Sequence, residues 1–158
     1  MNKDDIVGDY QEHILSVYNG SDKTVYVTAL ETPFPEGKLI VSRTDTEGVI
    51  THCNEAFVYM SGYQEDELIG RPHSILRHPD IPKAAFKEAW DTIKNKQKWN
   101  GYIKNLRKDG GYYWTYATII PNIRNGEIIG DASVRRKPSR KKVNQAKALY
   151  SQMLAEES

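Results

Sequence analysis

The sequence predicts an α+β domain: a five-stranded antiparallel sheet with short helices on one face, an N-terminal extension and a C-terminal helix. Two observations carry this. Apolar and polar residues alternate with period two in runs at both ends of the central region, and glycine-bearing turns separate these runs. Between them the apolar spacing lengthens to that of a helix. Strands first, helices next and strands last make a segregated α+β layout, not a βαβ alternation.

Residues 1–37 read as an extension. In "DYQEHILSVYN" (Asp9 to Asn19), Tyr10, Ile14, Val17 and Tyr18 fall at helical spacing and predict a short helix; "TVYVTA" predicts a brief strand, and "ETPFPEG" is a linker by its prolines and glycine. The compact domain is expected over 38–137. It opens with "LIVSRTD", "TEG" and "VITHCN", a hairpin with glycine in its turn. In "NEAFVYMSGY" Asn54 is placed to cap a helix that Gly62 ends, and "QEDELIG" adds one further turn. "PKAAFKEAWDTIKNK" is the longest central helix: Pro82 suits its first turn, and Ala85, Phe86, Ala89, Trp90 and Ile93 form one apolar stripe. "WNGYIKNLR" and "GYYWTYATIIPNI" are strands joined by "KDGG", and "RNG" turns the chain into "EIIGDASVRR". Residues 138–158 form a last amphipathic helix with Val143, Ala146, Leu149, Tyr150, Met153 and Leu154 on one face. That stripe suits a partner helix or a dimer seam, or a fold back onto its own domain. The basic run Arg135, Arg136, Lys137, Arg140, Lys141 and Lys142 before it reads as a solvated linker, with an acidic lipid or partner as the alternative.

The composition narrows the function. The 158 residues include 22 basic and 21 acidic side chains, a net charge of +1, so no overall field favours nucleic acid. The single cysteine, Cys53, fits a reducing cytosol. No apolar run approaches the roughly 18 residues of a membrane span, and the acidic "MNKDDIVGDYQEH" lacks a signal-peptide core. The expected location is the cytoplasm, with a membrane reached only through a partner. No G-x-S-x-G, phosphate loop or carboxylate pair points to an enzyme. His52, His73 and His78 lack companions at zinc spacing.

"TDTEGVITHCNEAFVYMSGYQEDELIG" resembles a PAS domain. "GRPHSILRHPDIPKAAFKEAW", followed by "WNGYIKNLRKDGGYYW", is similar more narrowly to the PAS domains of the FAD-binding bacterial aerotaxis receptor type. The resemblance runs from about Leu39 to Lys137 and implies that a ligand sits between helices and sheet. It implies FAD as that ligand, with Arg77, His78 and Asp80 in the motif tied to its binding, Trp90 beside it and Asn54 in a pocket motif.

Elementary chemistry assigns further roles. The FAD diphosphate needs a cation or backbone donors, and its flat ring needs apolar walls and polar partners at its edge. Arg77 supplies a planar cationic fork and His78 a pH-dependent donor. Asp80 either orients them or caps the following helix. Trp99, Gly101, Ile103 and Asn105 share one strand face, as do Thr115, Ala117 and Ile119 on the next. Asn105 is the odd polar member, and a flavin edge would satisfy it. Tyr112, Trp114 and Tyr116 face the other way and need a cover: the extension, the tail helix or a second subunit. The light-sensing LOV subgroup shares an asparagine like Asn105, but His73 stands where its reactive cysteine would be, Thr115 replaces a second asparagine, and Cys53 lies elsewhere. The fourth strand also departs from the aerotaxis pattern, reading "TYATII" where a polar "RAN"-like run is usual.

The expected function is redox sensing, with Asn105 reading the ring and a membrane chemoreceptor-like protein, or a homodimer, receiving the signal. Two alternatives stay open: a haem b gas sensor ligated through His73 or His78, and a cofactor-free dimerisation module.

Overall fold

The computed structural model describes residues 1–16 and 22–157. Chain order is β1 (Gln11–Ser16), β2 (Asp22–Val27), β3 (Ile40–Thr44), β4 (Ile50–Cys53), α1 (Glu55–Ser61), α2 (Glu65–Leu68), α3 (Lys83–Lys94), β5 (Trp99–Leu106), β6 (Tyr112–Arg124), β7 (Glu127–Arg136) and α4 (Arg140–Glu157). A 3-10 turn over His73–Leu76 leads towards α3. The main sheet has five antiparallel strands in the order β4-β3-β7-β6-β5, as expected.

Local chemistry sets the elements where anticipated. Asn54 accepts from the Phe57 amide and caps α1, while Gly62, at φ 78°, ends it in the left-handed region. On α3, Ala85, Ala89 and Ile93 are buried at i, i+4 and i+8, and Ala89 and Ile93 pack on Trp99 and Ala117. The expected stripe is narrower at one position: Trp90 is 37% exposed and rests beside Gly48 of the β3–β4 turn. It sits about 100° round the helix from Ala89, off the line that meets the sheet.

The extension departs from expectation. The stretch read as a helix is strand β1, paired antiparallel with β2; Val17 and Tyr18 lie outside the described residues. Helical spacing placed Ile14 inward, yet it is 69% exposed, while Leu15 packs with Val25 and Leu106. Backbone bonds from Val7 to Asp109, Thr28 to Gly110 and Thr32 to Tyr112 fasten the extension to the β5–β6 turn.

The tail helix covers the outward aromatics at Trp114, and the extension runs beside Tyr112. Val143, Ala146 and Tyr150 pack with Trp114, Ile81 and Ala85, leaving Trp114 4% exposed. The Tyr150 hydroxyl donates to the Tyr102 carbonyl at 2.8 Å. The last turn of α4 then caps α3: the Lys83 and Ala84 amides donate to the Glu157 carboxylate at 3.2 and 3.0 Å. Asp80, a possible cap for this helix on sequence, does not serve it. Leu149 stays exposed. Among the described residues no helix is long and apolar enough to cross a membrane.

Candidate functional site

Strand register gathers polar side chains on the helix-covered face of the sheet. The pairs Ile40–Arg135, Ser42–Ser133 and Thr44–Asp131 join β3 to β7, and Asn105–Tyr113, Ile103–Thr115 and Gly101–Ala117 join β5 to β6. Ser42, Thr44, Asn105, Tyr113, Thr115, Asp131, Ser133 and Arg135 are all buried. A core face of hydrocarbon would carry none of these groups. Arg135 Nη1 has no hydrogen-bond partner among the described residues; Thr44 Oγ1 has only a loose neighbour in the Asp131 carboxylate, and the Tyr113 hydroxyl and Asn105 only each other, without a well-formed bond. Each such group costs about 1–3 kcal/mol in an interior that offers it nothing. Thr115 is satisfied within the sheet, its hydroxyl donating to the Ile103 carbonyl.

Trp99 lies along this face. A Cβ on Gly101 would stand 2.2 Å from its indole, so the ring covers the glycine, and its Nε1 donates to Glu88 on α3 at 3.2 Å. Depressions of about 420 and 270 Å³ lie elsewhere, one along the Lys87–Asp91 side of α3 and the other between the N-terminus and α2. Between α3 and the sheet the Trp99 indole occupies the space over Gly101.

Sequence reading missed the deepest charge. Arg135, grouped with the basic run before the tail, is 3% exposed and points inward from β7. Its Nη2 donates to Ser42 Oγ at 2.9 Å and meets His73 Nε2 at 2.6 Å, and its guanidinium lies 5.0 Å from the Phe57 ring centre. The contact with Arg135 requires a neutral His73 that accepts at Nε2. Burial, reinforced by the Arg135 charge, holds this imidazole down at about 3. Period two from Asp131 through Ser133 to Arg135 was the signal available in the sequence.

The Arg77–Asp80 segment forms a second cluster at the β5 edge. Arg77 makes an isolated bridge with Asn105, so the two clusters meet there. Its guanidinium donates to the Ser16 carbonyl at 3.2 Å and lies 4.8 Å from the Phe86 ring centre, with a buried Nε unpartnered. His78 and Asp80 turn towards the outer face. His78 Nδ1 accepts from the Asp80 amide at 3.0 Å, and its ring meets Tyr112 edge-on at 6.1 Å. Burial, with the Lys104 charge added, holds His78 at about 3. Asp80 pairs with buried Lys104 at 2.7 Å; burial is the largest single influence and raises its carboxyl, but the Lys104 bond and charge together with the nearby His78 and His13 bring the net shift down.

Asn54 is spent on backbone: its oxygen also accepts from the Val41 amide and its nitrogen donates to the Leu39 carbonyl. The structure therefore brings Trp99, Asn105 and Thr115 together with Arg135, His73 and Tyr113, sets Arg77, His78 and Asp80 at the adjoining edge, and leaves Asn54 and Trp90 outside both clusters.

A family model described as the PAS fold matches residues 50–134. The chain belongs to the PAS family. The chain is 42% identical over 125 residues to the aerotaxis receptor of Escherichia coli, covering 79% of this chain and 25% of that protein. The nitrogen fixation regulatory protein of Klebsiella pneumoniae is 30% identical over 98 residues, 61% of this chain and 20% of that protein. The chain thus spans a quarter or less of the length of these curated relatives. Among solved structures, a PAS domain from Colwellia psychrerythraea aligns with a TM-score of 0.59 at 26% identity, covering 65% of this chain and 87% of that one. The light-state LOV domain of the blue-light photoreceptor Aureochrome1 also gives 0.59, at 21% identity, covering 68% and 89%, a likeness of fold.

Proposed function

We propose that this PAS domain binds FAD non-covalently between its helices and the inner face of the sheet, and reports the redox state of the ring to a signalling partner. The single observation that carries the reading is the set of buried polar atoms on that face left without a well-formed hydrogen bond: Arg135 Nη1 foremost, then Thr44 Oγ1, Asn105 Nδ2 and the Tyr113 hydroxyl. They are the kind of donors and acceptors that a flavin edge uses, and they argue against a cofactor-free dimerisation module, whose interior would have no use for them. The likeness to an aerotaxis receptor and to a LOV domain points the same way.

FAD supplies reversible electron uptake; the chain supplies its place. Trp99 and Gly101 would offer the ring an apolar wall, and Asn105 and Thr115 would face its polar edge. At the β5 edge Arg77 would offer its fork to the diphosphate, while Asp80 holds that segment to the sheet through Lys104, with His78 packed beside it. The Asn105 amide turns with the protonation of the ring. Arg77 pairs with Asn105 through the backbone, so a shift of β5 at Asn105 would pass to the edge segment, and from there to α3 and α4. A difference of about 1–3 kcal/mol between two states is enough to signal. A membrane chemoreceptor-like protein is the receiver this reading favours, with the domain itself in the cytoplasm. A haem reading has less support: His73 gives its Nε2 to Arg135, and His78 faces the Tyr112 and Lys104 side.

Purified protein, reconstituted with FAD or FMN, tests the proposal. Bound flavin gives twin absorption bands near ~450 and ~370 nm, and mass spectrometry of the extract is expected to identify FAD. Arg77→Ala is expected to lower the FAD content. Protein that stays colourless with either flavin overturns the proposal.

A further inference from the structure

Arg135 is a cation deep in the domain with no ion pair: the buried Asp131 carboxylate on the same strand acts on its charge only from beyond 4.0 Å. Among the described residues no carboxylate comes within 4.0 Å of its guanidinium; its neighbours are the Ser42 hydroxyl, the neutral His73 ring and the face of Phe57. Desolvating a charge is costly, and buried charges are ordinarily paired. One nitrogen, Nη1, is left with no acceptor at all. The charge is also held in place: Ser42 and His73 fix one nitrogen of the fork, and the aromatic ring backs the plane. An arginine needed only to fasten β7 to β3 would use its fork on carbonyls or carboxylates. Here half of the fork is fastened and the other half is free.

The groups that touch Arg135 are a hydroxyl, a neutral imidazole and an aromatic ring, and Asp131 acts only from a distance, so the free nitrogen favours a ligand that is itself anionic or becomes so. A flavin ring is neutral when oxidised. After taking two electrons and one proton it carries a negative charge on its pyrimidine edge. We infer that Arg135, steered by His73, is the residue that meets this edge and makes the pocket bind the reduced ring more tightly than the oxidised one. The inference rests on the proposed flavin binding. It makes Arg135 the element that sets the potential, and leaves Asn105 as the element that passes the change on. His73 acts by orienting the guanidinium, since its only nitrogen facing Arg135 is already engaged.

An opposite charge close by moves equilibria of this kind by about one to three decades. The lower bound, a tenfold loss of preference for the reduced ring, lowers the midpoint potential of a two-electron couple by about 30 mV. The test is a reductive titration of the flavin-loaded protein with a reference dye, for wild type, Arg135→Gln and Arg135→Lys. Arg135→Gln is expected to fall by about 30 mV or more, and Arg135→Lys, which keeps the charge, to recover at least half of that fall. If Arg135→Gln does not fold with flavin, the neutral and similarly long Arg135→Met takes its place. A neutral variant with the wild-type potential overturns the inference while leaving flavin binding intact; so does Arg135→Lys shifting as far as the neutral variant. A wild type that holds neither FAD nor FMN overturns the underlying reading instead, and the inference with it.

Discussion

Acid should weaken this fold in a way that two buried imidazoles dominate, and His78 is the one that isolates the effect. Its ring is enclosed by Tyr112, with Lys104, Asp80 and His13 as the charged or titratable groups around it. In the folded chain it stands at about 3, against an ordinary 6.5. The folded value lies below the unfolded one, so the unfolded chain takes up the proton first. The contribution of neutral His78 is therefore fully present above pH 6.5 and is lost progressively as pH falls towards 3. At pH 4.5 an unfolded histidine is almost wholly protonated while the folded one is not, a difference of two pH units, or roughly 3 kcal/mol. That is a large part of the 5–15 kcal/mol typical of a domain. The assay is urea unfolding of the cofactor-free protein at pH 7.5 and 4.5, for wild type and His78→Gln. Glutamine can still accept the Asp80 amide but binds no proton. Wild type should lose about 3 kcal/mol more than the variant over this interval, since all other titrating groups are shared. Equal losses in the two proteins would refute the enclosure of His78 described above.

Three further outcomes are expected. Glu157→Ala removes both acceptors from the first turn of α3 and should cost about 1 kcal/mol, with faster amide hydrogen exchange at Lys83 and Ala84; unchanged exchange there would mean the carboxylate is no cap. Tyr150→Phe loses the bond to the Tyr102 carbonyl and should lower stability by about 0.5–1.5 kcal/mol in urea titrations, whereas a change at the exposed Leu149, such as Leu149→Ala, should do much less. Gly130→Ala would bring a Cβ to 2.1 Å from the Thr44 carbonyl oxygen, backbone that cannot turn aside, and should cost about 1–3 kcal/mol or more, seen as a lower melting temperature.

The sheet was legible because its signals are local. "KDGG", "RNG" and "TEG" fix where the chain reverses, and alternation between them fixes which side chains share a face, so the sequence alone groups Trp99, Gly101, Ile103 and Asn105. The β1 segment failed for the opposite reason: its apolar residues satisfy helical spacing, and only pairing with β2 decides otherwise. Arg135 was hidden by its neighbours. A run of basic residues looks solvated, and the strand that carries its first member inward ends one residue later. Asp80 was a reasonable cap for α3 on sequence, but the group that does the capping comes from 74 residues further along. Burial of Trp90 was expected from its neighbours in the stripe, though a position one step round a helix can still look out.

The carboxylate of Glu157 on the start of α3 has a bearing on how force would travel. α3 begins just after the Arg77–Asp80 segment, so the far end of the tail and the edge of the interior share one anchor point. Any polypeptide joined beyond the tail would pull on that anchor like a rope made fast at the hinge of a door: traction from outside loosens the doorpost before it disturbs the sheet, and a shift of the doorpost slackens the rope.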